Sequence, residues 1–429
     1  MSRRRIAITG VGMVSPVGND AATSWGNLRA GRSGVAEITH FDASGFTTHI
    51  GAEVKNFDAA KVIRDRKLLK FALPSHRFAL AAAEEALSDA GIRPAADNGS
   101  RWGLSVGAGM FNLAFEEFKK IHQYCADETG FNPDGLLNPD FPNDPVVFCR
   151  NQSNTGLGLL AQHFGIEGYA ASVHTACASG GQAIGAGLRA MRRGLCDYML
   201  AGGFDSMLHP IGIAGFCLLG ALSTDNDTPT RASRPFDLTR NGFVLGEGAG
   251  FLVLEDWEKA RARGAKIYAE LAGNGDSLSC YRITDSPPDG DGPIQAMRQS
   301  IADAGITPAE IDYVNAHGTS TQMNDKSECA GLRVVLGDRI GEVPVSSTKS
   351  CMGHLIAAAG AVEAVVCALA VRDGIAPLNA NYAEPDPECA VNIVTPASRP
   401  LRIRAALSNS LGFGGSNNCL VFRNPEELP

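Results

Sequence analysis

The sequence predicts an α/β protein made of two related halves, and three observations carry that expectation. Short β-branched or small-residue runs alternate with segments of helical period along the chain. Motifs in the first part recur in the same order in the second. Hydrophobic residues make up 44% and charged residues 20% of the 429 residues, the balance of an ordinary soluble globular chain with a large core.

The opening MSRRRIAITGVGMVSPVG sets basic residues before an apolar run, as a secretory signal does. Gly, Thr and Pro interrupt it and no small-residue cleavage site follows, so it reads as a first strand at 6–10. A helix is expected at 75–90, strands at 103–106 and 171–175, and a helix at 179–193. In the second part, strands are expected at 311–314 and 343–346. The apolar stretch 351–371 is long enough to span a bilayer, but it carries His354 and Glu363 and is rich in Ala and Gly, so it reads as a buried core helix.

Three echoes support duplication. Leu87-Ser-Asp-Ala-Gly-Ile-Arg-Pro94 matches Ile301-Ala-Asp-Ala-Gly-Ile-Thr-Pro308 at five of eight positions, each closing a helix with Gly and Pro before a strand. Thr9-Gly-Val-Gly12 pairs with Ala272-Gly-Asn-Gly275, and the helix ending Arg192-Arg-Gly194 pairs with the one ending Arg372-Asp-Gly374. The halves are placed at 1–264 and 265–429, dividing after the charged stretch 255–263, and the lack of a low-complexity linker implies one shared core.

With 38 basic and 46 acidic residues the net charge is -8, which argues against a general nucleic-acid or membrane-surface role. Eleven cysteines without a C-x-x-C suggest neither a disulfide framework nor a zinc ribbon and fit a reducing cytoplasm. There is no G-x-x-x-x-G-K-[ST], and His209 has no partner at metal-ligand spacing, so neither cofactor nor metal is expected.

Cys177 sits in Val173-His-Thr-Ala-Cys-Ala-Ser-Gly-Gly181, where a strand gives way to a helix. Free N–H groups and the positive dipole end at a helix N-terminus favour thiolate, and a backbone oxyanion hole is close at hand. A small buried hydrophobe is the other reading, and both stay open on residue type and position. His317, in Asn315-Ala-His-Gly-Thr-Ser-Thr321, and His354, in Ser347-Thr-Lys-Ser-Cys-Met-Gly-His354, each follow a predicted strand. Open α/β folds place chemistry at strand C-termini, and Gly318 and Gly353 are expected to let a substrate approach the backbone. A structural role for both histidines also stays open.

Together T-A-C-A-S-G, N-A-H-G-T-S-T, S-T-K-S-x-x-G-H and G-F-G-G-S-N resemble the elongating β-ketoacyl-[acyl carrier protein] synthases, condensing enzymes of the thiolase fold. The resemblance runs from Arg4 to the C-terminus and includes Ser233-Arg-Pro-Phe-Asp237 and Gly242-Phe-Val-Leu-Gly-Glu-Gly248. It implies βαβαβαββ halves in five α/β/α/β/α layers. It also implies decarboxylative condensation of an acyl chain on Cys177 with malonyl-[acyl carrier protein], in fatty-acid or polyketide elongation.

By the same resemblance His317 and His354 promote decarboxylation, and the N–H groups of Cys177 and Phe413 form the oxyanion hole. Lys349 and Glu328 form an ion pair behind the histidines, supported by Asp325. Thr319, Thr321 and Thr284 hold the phosphopantetheine arm, Leu411 and Phe413 gate the nucleophile, and Phe111, Phe115 and Phe243 line the acyl pocket. Lys67 and Lys70 dock an acidic acyl carrier protein. A homodimer is implied, with a heterodimer of related subunits as the alternative.

Arg282 stands where fatty-acid members commonly have His, Leu411 replaces a common gating Phe, and Asn241 replaces a usual Asp. A thiolase would need a second cysteine in the Gly412–Asn417 loop, and starter-type synthases use His with Asn rather than two His. The rival from the binding class is a chain-length-factor-like partner, which would lack the Cys177 nucleophile.

Overall fold

A computed structural model describes residues 4–63, 65–109 and 115–427. Its centre is a pair of long antiparallel strands, β1 (Ile6–Val14) and β6 (Ala269–Leu278). On the β1 side the sheet continues through β5 (Glu247–Asp256), β4 (Tyr198–Ser206), β2 (Trp102–Ala108) and β3 (Ala170–Val173). On the β6 side it continues through β11 (Ser416–Arg423), β10 (Ala405–Leu411), β7 (Ile311–Asn315), β8 (Pro344–Ser346) and β9 (Asn392–Ile393). Both wings run in the same sequence of directions, antiparallel twice and then parallel. That is the duplication the echoes predicted.

Residue alternation along the strands separates the layers. On β5, Leu252 and Leu254 join an inner core, while Phe251 and Val253 join an outer one. The inner core holds α2 (Ser179–Arg192) and α5 (Ala359–Asp373) between the wings, with Leu188 and Val362 meeting Ile8, Leu420 and Phe422. Helix α1 (Pro74–Ala90) covers the outer face of the first wing. Helices α3 (Asp291–Ala304) and α4 (Gln322–Leu336) cover the second. The layers are therefore α/β/α/β/α, and each fully buried Leu or Val contributes about 1.5–3 kcal/mol to holding them.

The glycine echo has a packing cause. A Cβ on Gly12 would lie 1.9 Å from the Ala82 carbonyl, and one on Gly275 would lie 2.0 Å from the Ala296 carbonyl. Bare backbone on the two central strands is what lets α1 and α3 approach, once in each half. The helix echo is equally physical, since α1 and α3 both end in a left-handed glycine, Gly91 (φ 66) and Gly305 (φ 68).

The stretch 351–371 differs from its predicted single helix. A short helix, Lys349–Met352, stops at Gly353, and α5 begins only at Ala359. Positive φ at Gly353 (67) and Ile356 (46) breaks the run and turns His354 out of it. Among the described residues no helix is long and apolar enough to cross a membrane.

Candidate active site

The turn that carries Cys177 is built from β3, the short turn Ala176–Ala178 and α2. Ser179 Oγ accepts the Thr175 N–H at 2.8 Å and donates to the Ala176 carbonyl at 2.7 Å. Those two bonds hold Ala176 at φ 49, a costly conformation for a residue with a Cβ. The counterpart turn between β8 and α5 carries the same strain at Ile356. Asp205, buried on β4 and missed in the sequence, braces the second of these turns: its carboxylate accepts the Ala357 N–H at 3.0 Å. Burial pushes its carboxyl up to about 7.

Cys177 is buried, with the backbone N–H groups of Phe413 and of Cys177 itself placed to favour a negative charge on its sulfur. The expected thiolate does not follow. Burial pushes the thiol up to about 12, outweighing the opposing charge of Lys349 and those N–H groups. The dipole argument omitted the cost of moving a thiolate out of water.

His317 and His354 stand edge to face, ring centroids 5.2 Å apart at 84°. One ligand-type atom from each, with the Cys177 sulfur, lies within 4.8 Å of the others. His354 Nδ1 accepts the Ile356 N–H at 3.3 Å, which leaves the ring proton on Nε2, and Nε2 has no protein partner. Burial, and then the charge of Lys349, hold both imidazoles well below the ordinary histidine value. They are neutral at pH 7.

The expected Lys349–Glu328 pair is replaced by another. Lys349 Nζ donates to the His317 carbonyl at 2.7 Å and to Glu363, a residue of α5. Glu328 instead accepts the N–H groups of His317 and Gly318, each at 2.8 Å, and the Asn409 amide at 3.0 Å. Both acids therefore fix the His317 loop, one directly and one through Lys349. Glu363 was legible only as the lone charge in an apolar helix, and α5 brings it under the site. Asp325 accepts from the N–H groups of Thr319 at 3.0 Å and Phe236 at 2.9 Å, and pairs with Arg240 at 3.5 Å.

A cavity of about 300 Å³ opens onto Cys177, His317 and His354. Thr284, Thr319, Thr321, Phe243, Leu411 and Phe413 also line it. Thr319 and Thr321 share a hydroxyl hydrogen bond of 2.9 Å, and Phe243 packs edge-on to His354 at 5.3 Å. The Leu411–Phe413 loop sits close to Cys177 because of Gly412, where a Cβ would meet the Thr175 carbonyl at 2.8 Å and the Ala178 nitrogen at 3.1 Å. Gly318 and Gly353 do not open the backbone to substrate as expected. Cβ atoms there would strike Ser347 at 2.7 Å and the Val244 carbonyl at 2.7 Å, so these glycines serve packing.

Other expected residues lie apart. Phe115 begins the helix Phe115–Cys125, half-buried, and is not among the residues lining the cavity. Phe111 lies outside the described residues. Lys67 and Lys70 are exposed on and just after the short helix Arg66–Leu69, also away from the cavity lining.

Cys177, His317 and His354 are by donor type a set that suits a borderline divalent metal. Oxygens of Asn315, Glu363, Ser408 and Asn409 are buried without a hydrogen-bond partner, the type that accepts from water or a hard cation.

The sequence matches the profile of the β-ketoacyl synthase N-terminal domain over residues 3–260 and that of the C-terminal domain over residues 268–383. The chain belongs to the β-ketoacyl synthase family. Among relatives of this β-ketoacyl synthase, the 3-oxoacyl-[acyl-carrier-protein] synthase 2 of Coxiella burnetii is 40% identical over 422 residues, 98% of this chain and 99% of that protein. The ishigamide ketosynthase/chain length factor matches with a TM-score of 0.87 at 34% identity, covering 99% of this chain and 100% of the other. A ketosynthase bound to the hexaketide, in complex with its type II PKS acyl-carrier protein, matches with a TM-score of 0.82 at 32% identity, covering 98% and 99%.

Proposed function

We propose that this β-ketoacyl synthase condenses an acyl chain held on Cys177 with malonyl-[acyl carrier protein], releasing CO2, in fatty-acid or polyketide elongation. One observation carries the residue assignments: a cysteine and two neutral imidazoles converge within 4.8 Å at the base of one cavity. In the first step Cys177 sulfur attacks the thioester of an acyl carrier, its proton ending on the departing carrier thiol. The N–H groups of Cys177 and Phe413 stabilise the tetrahedral oxyanion.

In the second step the malonyl thioester loses CO2. The electron pair left behind becomes an enolate, which needs hydrogen-bond donors on its oxygen rather than a base for a C–H bond. His354 offers Nε2–H, and His317 is set beside it by Lys349 and Glu328. The carbanion then attacks the acyl carbonyl on Cys177, and collapse expels the thiolate, which regains its proton from solvent. Thr319, Thr321 and Thr284 hold the carrier's phosphopantetheine arm, and no further cofactor enters these steps.

We propose a homodimer closed along β3, the end strand of the sheet, whose residues are exposed or half-exposed. The ketosynthase/chain length factor relative makes a heterodimer the competing arrangement. Cys177 itself weighs against a non-catalytic partner role. The test is mass spectrometry of the Cys177 peptide after incubation with a panel of acyl carrier thioesters, followed by malonyl carrier. An acyl adduct chased into β-ketoacyl carrier with CO2 release supports the proposal; no adduct with any carrier overturns it.

A further inference from the structure

The central strands frame a second opening, away from the Cys177 cavity. β1 and β6 pair at Ala7 and Ile8 and then part. Past that point the N–H groups of Val11 and Met13 are taken by side chains of α1, Asp89 at 3.0 Å and Glu85 at 2.8 Å. The gap is a cleft of about 520 Å³ that shares no lining residue with the Cys177 cavity. It runs along one face of the helix Ala21–Arg29, where Ala21, Ala22, Trp25 and Arg29 line it, with Val11 and Leu369 beside them.

Three of the five charged residues lining the cleft are already paired. Asp89 holds Lys266 at 2.5 Å and accepts the Tyr268 hydroxyl at 2.8 Å. Asp373 holds Arg372 at 2.9 Å and the Trp25 indole N–H at 2.7 Å. Glu85 and Arg29 are the other two. Glu85 accepts the N–H groups of Ala21 and Met13, each at 2.8 Å, but among the described residues it has no cation partner. Burial, with Asp20 and Asp89 nearby, pushes its carboxyl up to about 7, as happens to a carboxylate short of positive charge. Arg29 lies over the Trp25 ring at 5.9 Å and makes no ion pair among the described residues. The Glu85 carboxylate meets the first N–H of the helix and Arg29 is its last residue, so the two unpaired charges stand towards opposite ends of the cleft. A rise of about 1.5 Å per residue, with the Arg29 side chain folded back over Trp25, separates them by about 6–12 Å.

We propose that this cleft binds a linear zwitterion, an ammonium and a carboxylate joined by a polymethylene chain, with the ammonium on Glu85, the carboxylate on Arg29 and the chain along Val11, Ala22 and Leu369. Each unpaired charge then gains its opposite, and the apolar chain covers apolar wall. A simple anion or a simple cation leaves one end of the cleft uncompensated. The site is independent of the proposed condensation, since it uses none of the residues that surround Cys177.

The test is calorimetric titration of the full chain at about pH 8, above the Glu85 value, with 8-aminooctanoate, whose extended chain spans about 10 Å at about 1.5 Å per bond. Each titration is repeated on Ala22→Phe. That exposed position lies on the cleft wall, and the substitution fills the cleft while removing neither charge, so the binding it abolishes is binding in the cleft. Wild type should take up one 8-aminooctanoate with a Kd below about 1 mM, and Ala22→Phe should lose it at an unchanged melting temperature. Octanoate and octylamine, which each lack one charge, should bind in the cleft at least about tenfold more weakly. Arg29→Gln should weaken 8-aminooctanoate by about tenfold and leave octylamine unaffected, and Glu85→Gln should do the reverse for octanoate. Absence of binding to wild type, equal cleft binding of the single-charge analogues, or undiminished binding to Ala22→Phe would overturn the proposal, the last by placing the ligand elsewhere, the Cys177 cavity included.

Discussion

At the scale of single residues, the site joins a thiol that resists ionisation to two imidazoles that resist protonation, and burial causes both. Cys177→Ala should abolish acylation and condensation while leaving the melting temperature nearly unchanged, since only one sulfur leaves the turn. His354→Ala should permit acylation but slow CO2 release by about 100-fold, the loss typical of one oxyanion donor; intact acylation with undiminished CO2 release would refute that role. The pH dependence has a definite sign. The folded histidines bind protons only well below the ordinary value, whereas the unfolded chain binds them near its own pKa, about 6.5. The stability they contribute is complete above that unfolded value and is lost as pH falls below it. Thermal unfolding of wild type should therefore show a fall between about pH 7 and 5 that His317→Asn/His354→Asn reduces. The positions of both histidines were legible from their motifs. The cause of their neutrality was not, because it is burial, which packing of several elements around the rings completes.

At the scale of elements, the informative mismatch is Lys349. The glycine-ended helices and both glycine echoes could be read because local sequence determines them, whereas β1 runs on to Val14 and the predicted helix 351–371 breaks at Gly353; the partner of a buried lysine, in turn, is chosen by whichever helix crosses beneath it. Helix α5 carries Glu363 to that place, so Lys349 pairs with it and not with Glu328. Lys349→Ala should leave a buried carboxylate without its cation, destabilising the fold by about 3–5 kcal/mol in chemical denaturation. The double change Lys349→Met/Glu363→Leu should restore most of that stability while CO2 release stays impaired, because the bond to the His317 carbonyl is still missing. Equal stability of both variants would show that Glu363 is not the partner that matters. The gate loop allows a second test. Gly412→Ala forces a Cβ against the Cys177 turn and shifts the neighbouring Phe413 N–H, the proposed oxyanion donor. Acylation should slow by about 100-fold or more with the fold intact.

At the scale of the whole molecule, the proposed condensation needs a chain of net charge -8 to receive an acidic carrier, and Lys67 and Lys70 are proposed to draw it in. Lys67 and Lys70 are exposed, and among the described residues neither has an ion pair, so their field extends into solvent. Such charges raise the rate of encounter and lose force with salt. Lys67→Glu/Lys70→Glu should raise the carrier KM at low salt, and the difference from wild type should shrink at about 0.5 M salt, where the Debye length is only about 4 Å. Pantetheine thioesters should react normally throughout, since neither lysine reaches the cavity. If the charge reversal were equally damaging at both salt concentrations, or damaging to the free thioester, the lysines would be acting through the fold and not through the carrier.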